Sequence, residues 1–257
     1  MPEIDRRAFI QTGASALCGL GIARLPVRPS ACPMLVCVFL RGGVDGLSLI
    51  VPHGDALYYG ARPRTAIPAA DVIDLDGYFG LHPSLGPLKP FWDEGRLTFV
   101  PAAGFPEIAR SHVESQHRID AMLARHGAVS CESLAHVARL VDTGRAPDTA
   151  VVNVGGWDTH VNQGASAGPL AARLQQLSRD IAAFAAPRRD VTLVTISEFG
   201  RTISENRNGG TDHGHATTML ALGNLPRARG GVWGSWPGLG GGAAEVAVTT
   251  DLRALFS

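Results

Sequence analysis

Continuous apolar runs alternate along this chain with amphipathic stretches. Four runs read as buried strands: Met34 to Leu40, Leu97 to Pro101, Ala150 to Val154 and Asp190 to Ile196. Each is short, rich in β-branched or aromatic residues, and bounded by glycine or polar residues. Between them lie helical patterns. In residues 83–95, Leu85, Leu88 and Trp92 share one face and Gly95 is a stop. A second helix is predicted from Arg110 to about Arg125, with Ser111 and Glu114 in capping-box spacing. Residues 132–141 and 170–185 give two more. Residues 216–222 fit helix or strand, and the Gly/Trp/Pro-rich residues 230–242 read as loop. Strands alternating with helices predict an α/β fold with a mostly parallel central sheet covered on both faces.

The first 31 residues stand apart from this alternation. Arg6 and Arg7 precede Phe9 and Ile10, and a weakly apolar run continues from Thr12 to Leu25. That run is too short for a membrane span and has the form of an export signal. The paired arginines resemble the twin-arginine motif. Residues 1–31 are therefore expected to be a twin-arginine signal peptide, and 32–257 a single α/β domain. The expected location is the periplasm or the extracellular space, with the twin-arginine translocase as a transient partner and no stable membrane span.

Composition narrows the partners. At 45% hydrophobic and 18% charged, the chain can build a sizeable core and is not a disordered protein. Formal net charge is zero, so nothing argues for nucleic acid. The cysteines, Cys18, Cys32, Cys37 and Cys131, show no zinc-knuckle or redox spacing. An oxidising compartment would permit a Cys37–Cys131 bridge.

The chemistry gathers where strands end. Arg41-Gly-Gly-Val-Asp45, Gly155-Gly-Trp-Asp158-Thr-His160 and Ser197-Glu198 each follow a strand pattern, and Asp212-His213-Gly-His215 follows a glycine-rich loop. A parallel sheet brings neighbouring strand ends to one edge, where ligands bind in open α/β folds. Carboxylates and imidazoles are the donor set of divalent cations. The candidate metal ligands are thus Asp45, Asp158, His160, Glu198, Asp212, His213 and His215. Ser111, at a predicted helix N-terminus, fits either a plain N-cap or a nucleophile beside free backbone N–H groups. Arg110 and His112 flank it as candidate binders of anionic oxygens. The other histidines, His53, His82, His117, His126 and His136, read as surface or packing residues.

The motifs F-L-R-G-G-V-D-G-L (39–47), F-G-L-H-P-S-L (79–85), R-S-H (110–112), G-G-W-D-T-H (155–160), S-E-F-G-R-T (197–202) and G-T-D-H-G-H (210–215) occur in this order. Together they resemble the exported bacterial proteins known as the domain of unknown function 1501 family, from about residue 34 onward. That family is grouped with the alkaline phosphatase and sulfatase superfamily, so the resemblance implies a three-layer α/β/α sandwich. It implies Asp45 as the first metal-binding aspartate, Ser111 as nucleophile, Asp158 and His160 as a metal pair, and Glu198 in place of an aspartate ligand. Asp212, His213 and His215 would supply the remaining ligands, and Arg201 joins Arg110 and His112 as a candidate substrate-binding residue. Phe199 departs from the pattern by standing where the superfamily has a histidine. The stretch from Ser111 to Asp158 is short for the family, as is the C-terminus, so the chain reads as a short or truncated member.

The function expected is an exported metal-dependent hydrolase of phosphate or sulfate esters. Zinc is the expected metal, with manganese, magnesium or calcium as alternatives, and Ser111 or an activated water would attack a small anionic ester. The alternative is a non-catalytic exported protein that keeps the fold for binding or assembly.

Overall fold

A computed structural model describes residues 34–106, 111–223, 231–240 and 242–255. The expected leader (1–31), with Cys18, and the residues Cys32 and Arg110 lie outside the described residues. The first element is β1 (Met34–Arg41), as the apolar run predicts. A short helix α1 (Gly46–Leu49) follows the Gly42-Gly43 turn. Three two-residue strands, β2 (Ile50–Val51), β3 (Ile73–Asp74) and β4 (Gly80–Leu81), form a small antiparallel sheet in the order β2-β4-β3. Helix α2 (Ala56–Ala61) lies between β2 and β3, capped by Asp55, which accepts from Leu57 N–H. Sequence periodicity does not reveal this subassembly, because two-residue strands are too short to show alternation.

The helix predicted over 83–95 is split. Pro83–Leu88 is a 3-10 turn and α3 spans only Lys89–Asp93. Pro87 and Pro90 remove the N–H donors that one continuous α-helix would need. Next come β5 (Leu97–Gly104), α4 (His112–Arg125), β6 (Val129–Cys131), α5 (Leu134–Asp142), β7 (Thr149–Gly155), α6 (Pro169–Ala185) and β8 (Val191–Ser197). Residues Thr217–Leu222, ambiguous in sequence, form strand β9. Two short strands, β10 (Gly231–Val232) and β11 (Thr250–Asp251), and a 3-10 turn (Leu252–Leu255) follow.

The large sheet runs β10-β5-β9-β8-β1-β7-β6, with β11 also on β5. Neighbours are parallel except at β9, which is antiparallel to both β5 and β8. This inversion positions the site. In register, Leu40 of β1 faces Ser197 of β8, and Arg41 faces Gly155 of β7. The residues after β1, β7 and β8 therefore emerge together. Because β9 runs the other way, its start, Thr217, reaches the same edge and brings residues 212–215 there. The end of β5, paired at Ala103 with Thr217, points to that edge too and leads toward α4.

Alternation along β1 feeds two cores. Val36, Val38 and Leu40 pack with Leu134, Val137, Leu174 and Ile181 of α5 and α6. Leu35, Cys37 and Phe39 pack with Ile119 and Leu123 of α4. Both faces of the sheet are thus covered, which is why a central strand can be apolar at nearly every position. Among the described residues no helix is long and apolar enough to cross a membrane.

Cys37 and Cys131 are both buried free thiols, and the packing separates them. They belong to cores on opposite faces, and β7 lies between their strands. Two strand spacings of about 4.8 Å already exceed the reach of a disulfide. Alkylation of the denatured protein without reductant should therefore modify both residues in full. A cross-linked Cys37–Cys131 peptide in the mass spectrum would contradict this packing.

Candidate metal centre

Gly42 and Gly43 both have positive φ, 126° and 70°, at the end of β1. A Cβ on Gly42 would lie 2.7 Å from the Asp158 backbone nitrogen, and one on Gly43 would strike the Phe199 ring. Glycine here lets three strand-end loops close on one another. The two amides point at Glu198. Its carboxylate accepts from Gly42 N–H at 2.8 and 3.0 Å, from Gly43 N–H at 3.0 Å and from Gln116 Nε2 at 2.7 Å. Burial pushes the Glu198 pKa up, but the Gln116 and backbone donors outweigh it and hold the group below its usual range.

The Arg201 side chain is fully buried. It donates to the carbonyls of Gly43, Gly42, Trp157 and Thr211, and at 2.7 Å to Asp158 Oδ1. Arg201 was expected to bind substrate. Its donors are committed to backbone and to Asp158, and none of the group meets solvent.

Asp158, half exposed, is the meeting point of three imidazoles. His213 Nε2 lies 3.2 Å and His160 Nε2 3.0 Å from its Oδ1, and His112 Nε2 is 3.6 Å from its Oδ2. Desolvation raises the Asp158 pKa, but Arg201 first and then His213 and His160 lower it further. Among the described residues, His112, Asp158 and His213 form one group whose donor atoms all lie within 4.8 Å of one another. Ligand atoms around one tetrahedral ion stand about 3.3–3.6 Å apart. Here the two imidazoles approach different oxygens of Asp158, His213 at 3.2 Å from Oδ1 and His112 at 3.6 Å from Oδ2. His112 Nε2 is moreover buried without a hydrogen-bond partner. A buried nitrogen facing a carboxylate oxygen across 3.6 Å fits the donor set of a cation site.

The remaining predicted ligands have other partners. His160 Nδ1 is 3.0 Å from Asp212 Oδ1, which also accepts from Asn206 Nδ2 at 2.9 Å. The Asn206 and His160 contacts hold the Asp212 pKa down. His215 Nε2 lies 3.0 Å from the Phe105 carbonyl, outside the triad. Asp45 is fully buried and forms a two-point ion pair with Arg62, at 2.6 and 3.0 Å. Ser48 and Gln163 donate to the same carboxylate. Burial raises the Asp45 pKa, yet the Arg62 charge holds it below the usual range. Asp45, expected as a metal ligand, has its carboxylate engaged by these protein donors.

Ser111 is the N-cap residue of α4, but its side chain makes no capping bond. The predicted capping box is not formed, and Glu114 pairs instead with Arg118 at 2.7 Å. Ser111 is half-buried and adjoins His112. His112 enters the triad as a donor, where the sequence suggested only an anion contact. Its helical spacing to Gln116, one turn on, is the signal that both face Glu198. Phe199 also gains a role, since its ring packs against those of His112 and His213 at 4.9 and 4.5 Å between centroids.

This arrangement defines an α/β protein with a candidate two-histidine, one-aspartate cation site at the carboxyl edge of its sheet. Residues 137–254 match the family described as "Protein of unknown function (DUF1501)", which supports the family resemblance. The match includes Asp158, Glu198, Arg201 and His213 but not His112 or Asp45. No curated protein matches the chain.

The Asp45–Arg62 pair generates a stability prediction. Arg62→Met leaves a buried carboxylate unpaired and should destabilise the fold by about 3–5 kcal/mol. Zinc binding by the folded fraction should persist. Asp45 ionisation contributes stability above the free-carboxylate pKa of about 3.9 and loses it as pH falls through the lower folded value. The stability gap between wild type and Asp45→Asn should accordingly narrow below about pH 4 in denaturant titrations. Loss of zinc stoichiometry in folded Asp45→Asn would return Asp45 to the metal.

Proposed function

We propose that this chain is an exported metal-dependent hydrolase of phosphate or sulfate esters on an alkaline phosphatase-like three-layer frame. The observation that carries this reading is the buried, unpartnered His112 Nε2 facing Asp158 beside His213. Two nitrogens and one oxygen favour zinc over magnesium or calcium, which prefer all-oxygen shells, with manganese between them. Three protein donors leave a fourth position open, the arrangement of catalytic rather than structural zinc sites. A divalent ion held there supplies Lewis-acid polarisation of a phosphoryl or sulfuryl oxygen.

The chain's own residues supply the rest. Ser111, unused as a cap and next to His112, is the candidate nucleophile. Attack by its Oγ on phosphorus or sulfur forms the new ester bond as the bond to the substrate alcohol breaks. The serine proton leaves to a nearby base and the departing alkoxide is protonated; water then attacks the serine ester, releasing phosphate or sulfate and restoring the hydroxyl. His160, with a carboxylate against each ring nitrogen, is the proton carrier in this reading. The first turn of α4 offers backbone N–H groups and the positive end of a 14-residue helix to the anionic group. Arg6 and Arg7 support twin-arginine export, and with it a periplasmic or extracellular location.

A second reading, a non-catalytic binding protein, draws on the commitment of Arg201 to backbone and of Asp45 to Arg62. Both would serve catalysis in the superfamily pattern, and neither faces a ligand.

Four outcomes follow. Purified protein dialysed against zinc should retain the metal and hydrolyse an aryl phosphate or aryl sulfate, and Asp158→Asn should abolish both. Ser111→Ala should keep the metal and lose turnover by roughly 10³-fold or more; full activity there would assign the attack to water. Zinc retention without turnover on either substrate class favours the binding protein. Replacing Arg6 and Arg7 by lysine should leave the protein in the cytoplasm, and twin-arginine-dependent export of that variant would refute the leader assignment.

A further inference from the structure

We propose that the centre holds one ion, and that Glu198 and Asp212 are positioning residues that touch no metal. This deepens the metal-dependent reading and rests on it. Glu198 is the first case. A carboxylate has about four acceptor sites. The Gly42 and Gly43 amides and Gln116 Nε2 hold its two oxygens from the protein side, and its side chain is fully buried. Its Oε1 lies 3.4 Å from His112 Nδ1. With Glu198 ionised, that contact is attractive only when Nδ1 carries the proton. A neutral imidazole protonated at Nδ1 has its lone pair at Nε2. In His112 that lone pair faces Asp158 Oδ2, an acceptor with no proton to give. Glu198 therefore selects the tautomer that turns His112 into a donor for a cation.

Asp212 acts on Asp158 through His160, which stands outside the triad. The Asp212 Oδ1 lies 3.0 Å from His160 Nδ1, and His160 Nε2 lies 3.0 Å from Asp158 Oδ1, so the ring bridges the two carboxylates. Asn206 donates to the same Asp212 oxygen and holds it in place. Arg201, from the protein side, donates to Asp158 Oδ1 as well. Oδ1 is thus held by neighbours, and Oδ2 is left toward His112. Carboxylate–imidazole pairs of this kind orient metal-binding histidines and raise their basicity. The two carboxylates that could have built a second ion site are in this way spent on orienting the first.

Zinc titration by calorimetry, combined with ¹⁵N-histidine NMR of the ring tautomers, tests the assignment. Wild type should bind one zinc per chain, with the His112 ring protonated at Nδ1. Glu198→Gln and Asp212→Asn should each still bind one zinc, about 10–100-fold more weakly. The His112 tautomer signature should be lost in the first and kept in the second. Should Glu198→Gln fail to fold, Asp212→Asn decides, because the Asp212 side chain is 60% exposed. Two zinc ions in wild type falling to one in either variant would make the mutated carboxylate a ligand and overturn the proposal. So would unchanged affinity and tautomer in a folded variant. Wild type that binds no zinc at all overturns the metal centre itself, and this assignment with it.

Discussion

One guanidinium holds the functional edge of this protein together. Arg201 reaches from the loop after β8 to carbonyls of the β1 loop, the β7 loop and the segment before β9. Strand-end loops carry carbonyls that no ladder satisfies, and burying them unpaired would cost about 1–3 kcal/mol each. Arginine suits the task because its planar fork offers five donors from one charge. The same group donates to Asp158, so the side chain that closes the loops also aims the central carboxylate of the candidate site. Placement of the site and stability of the loops are in this sense one interaction.

A second buried arginine extends the frame. Arg62 binds Asp45 and the carbonyls of Thr202 and Ile203. Gln163 donates to Asp45, and its oxygen accepts from Thr159 and Thr211. Those threonines sit directly beside Asp158, His160 and Asp212 in sequence. The buried network therefore fixes the backbone from which the exposed site side chains project. A charge pair at this depth pays in desolvation what it gains by attraction, so its value here is positional more than energetic.

The layering that results is consistent with a site able to do chemistry. Buried Glu198 and the Phe199 ring lie behind His112, His213 packs on the same ring, and half-exposed Asp158 opens toward solvent. Rigid support at the back and access at the front are what a metal-binding cleft requires. The Asp45 pair shows how residue type alone can mislead. An aspartate after a strand and a Gly-Gly turn is a sound ligand candidate until an arginine 17 positions on is folded against it.

The α/β class, the apolar strands, the amphipathic helices and the gathering of acids and histidines at strand ends were all legible in the sequence. They depend on local periodicity and on the rule that parallel strand ends share an edge. Asp158 was legible for that reason, and His213 as a histidine beside an acid after a glycine-rich loop. The split of residues 83–93 was hidden only because proline chemistry was outweighed by the apolar spacing. Tertiary structure alone decided the antiparallel setting of β9, since a short apolar run carries no information on its direction. It alone decided which acids face a cation. Asp45, Glu198 and Asp158 look alike in sequence, each following a strand. Their fates differ because Arg62, the Gly42 and Gly43 amides, and three imidazoles arrive from distant positions to claim them. A carboxylate's role is set by the donors around it, and donors brought together by long-range packing leave no local trace.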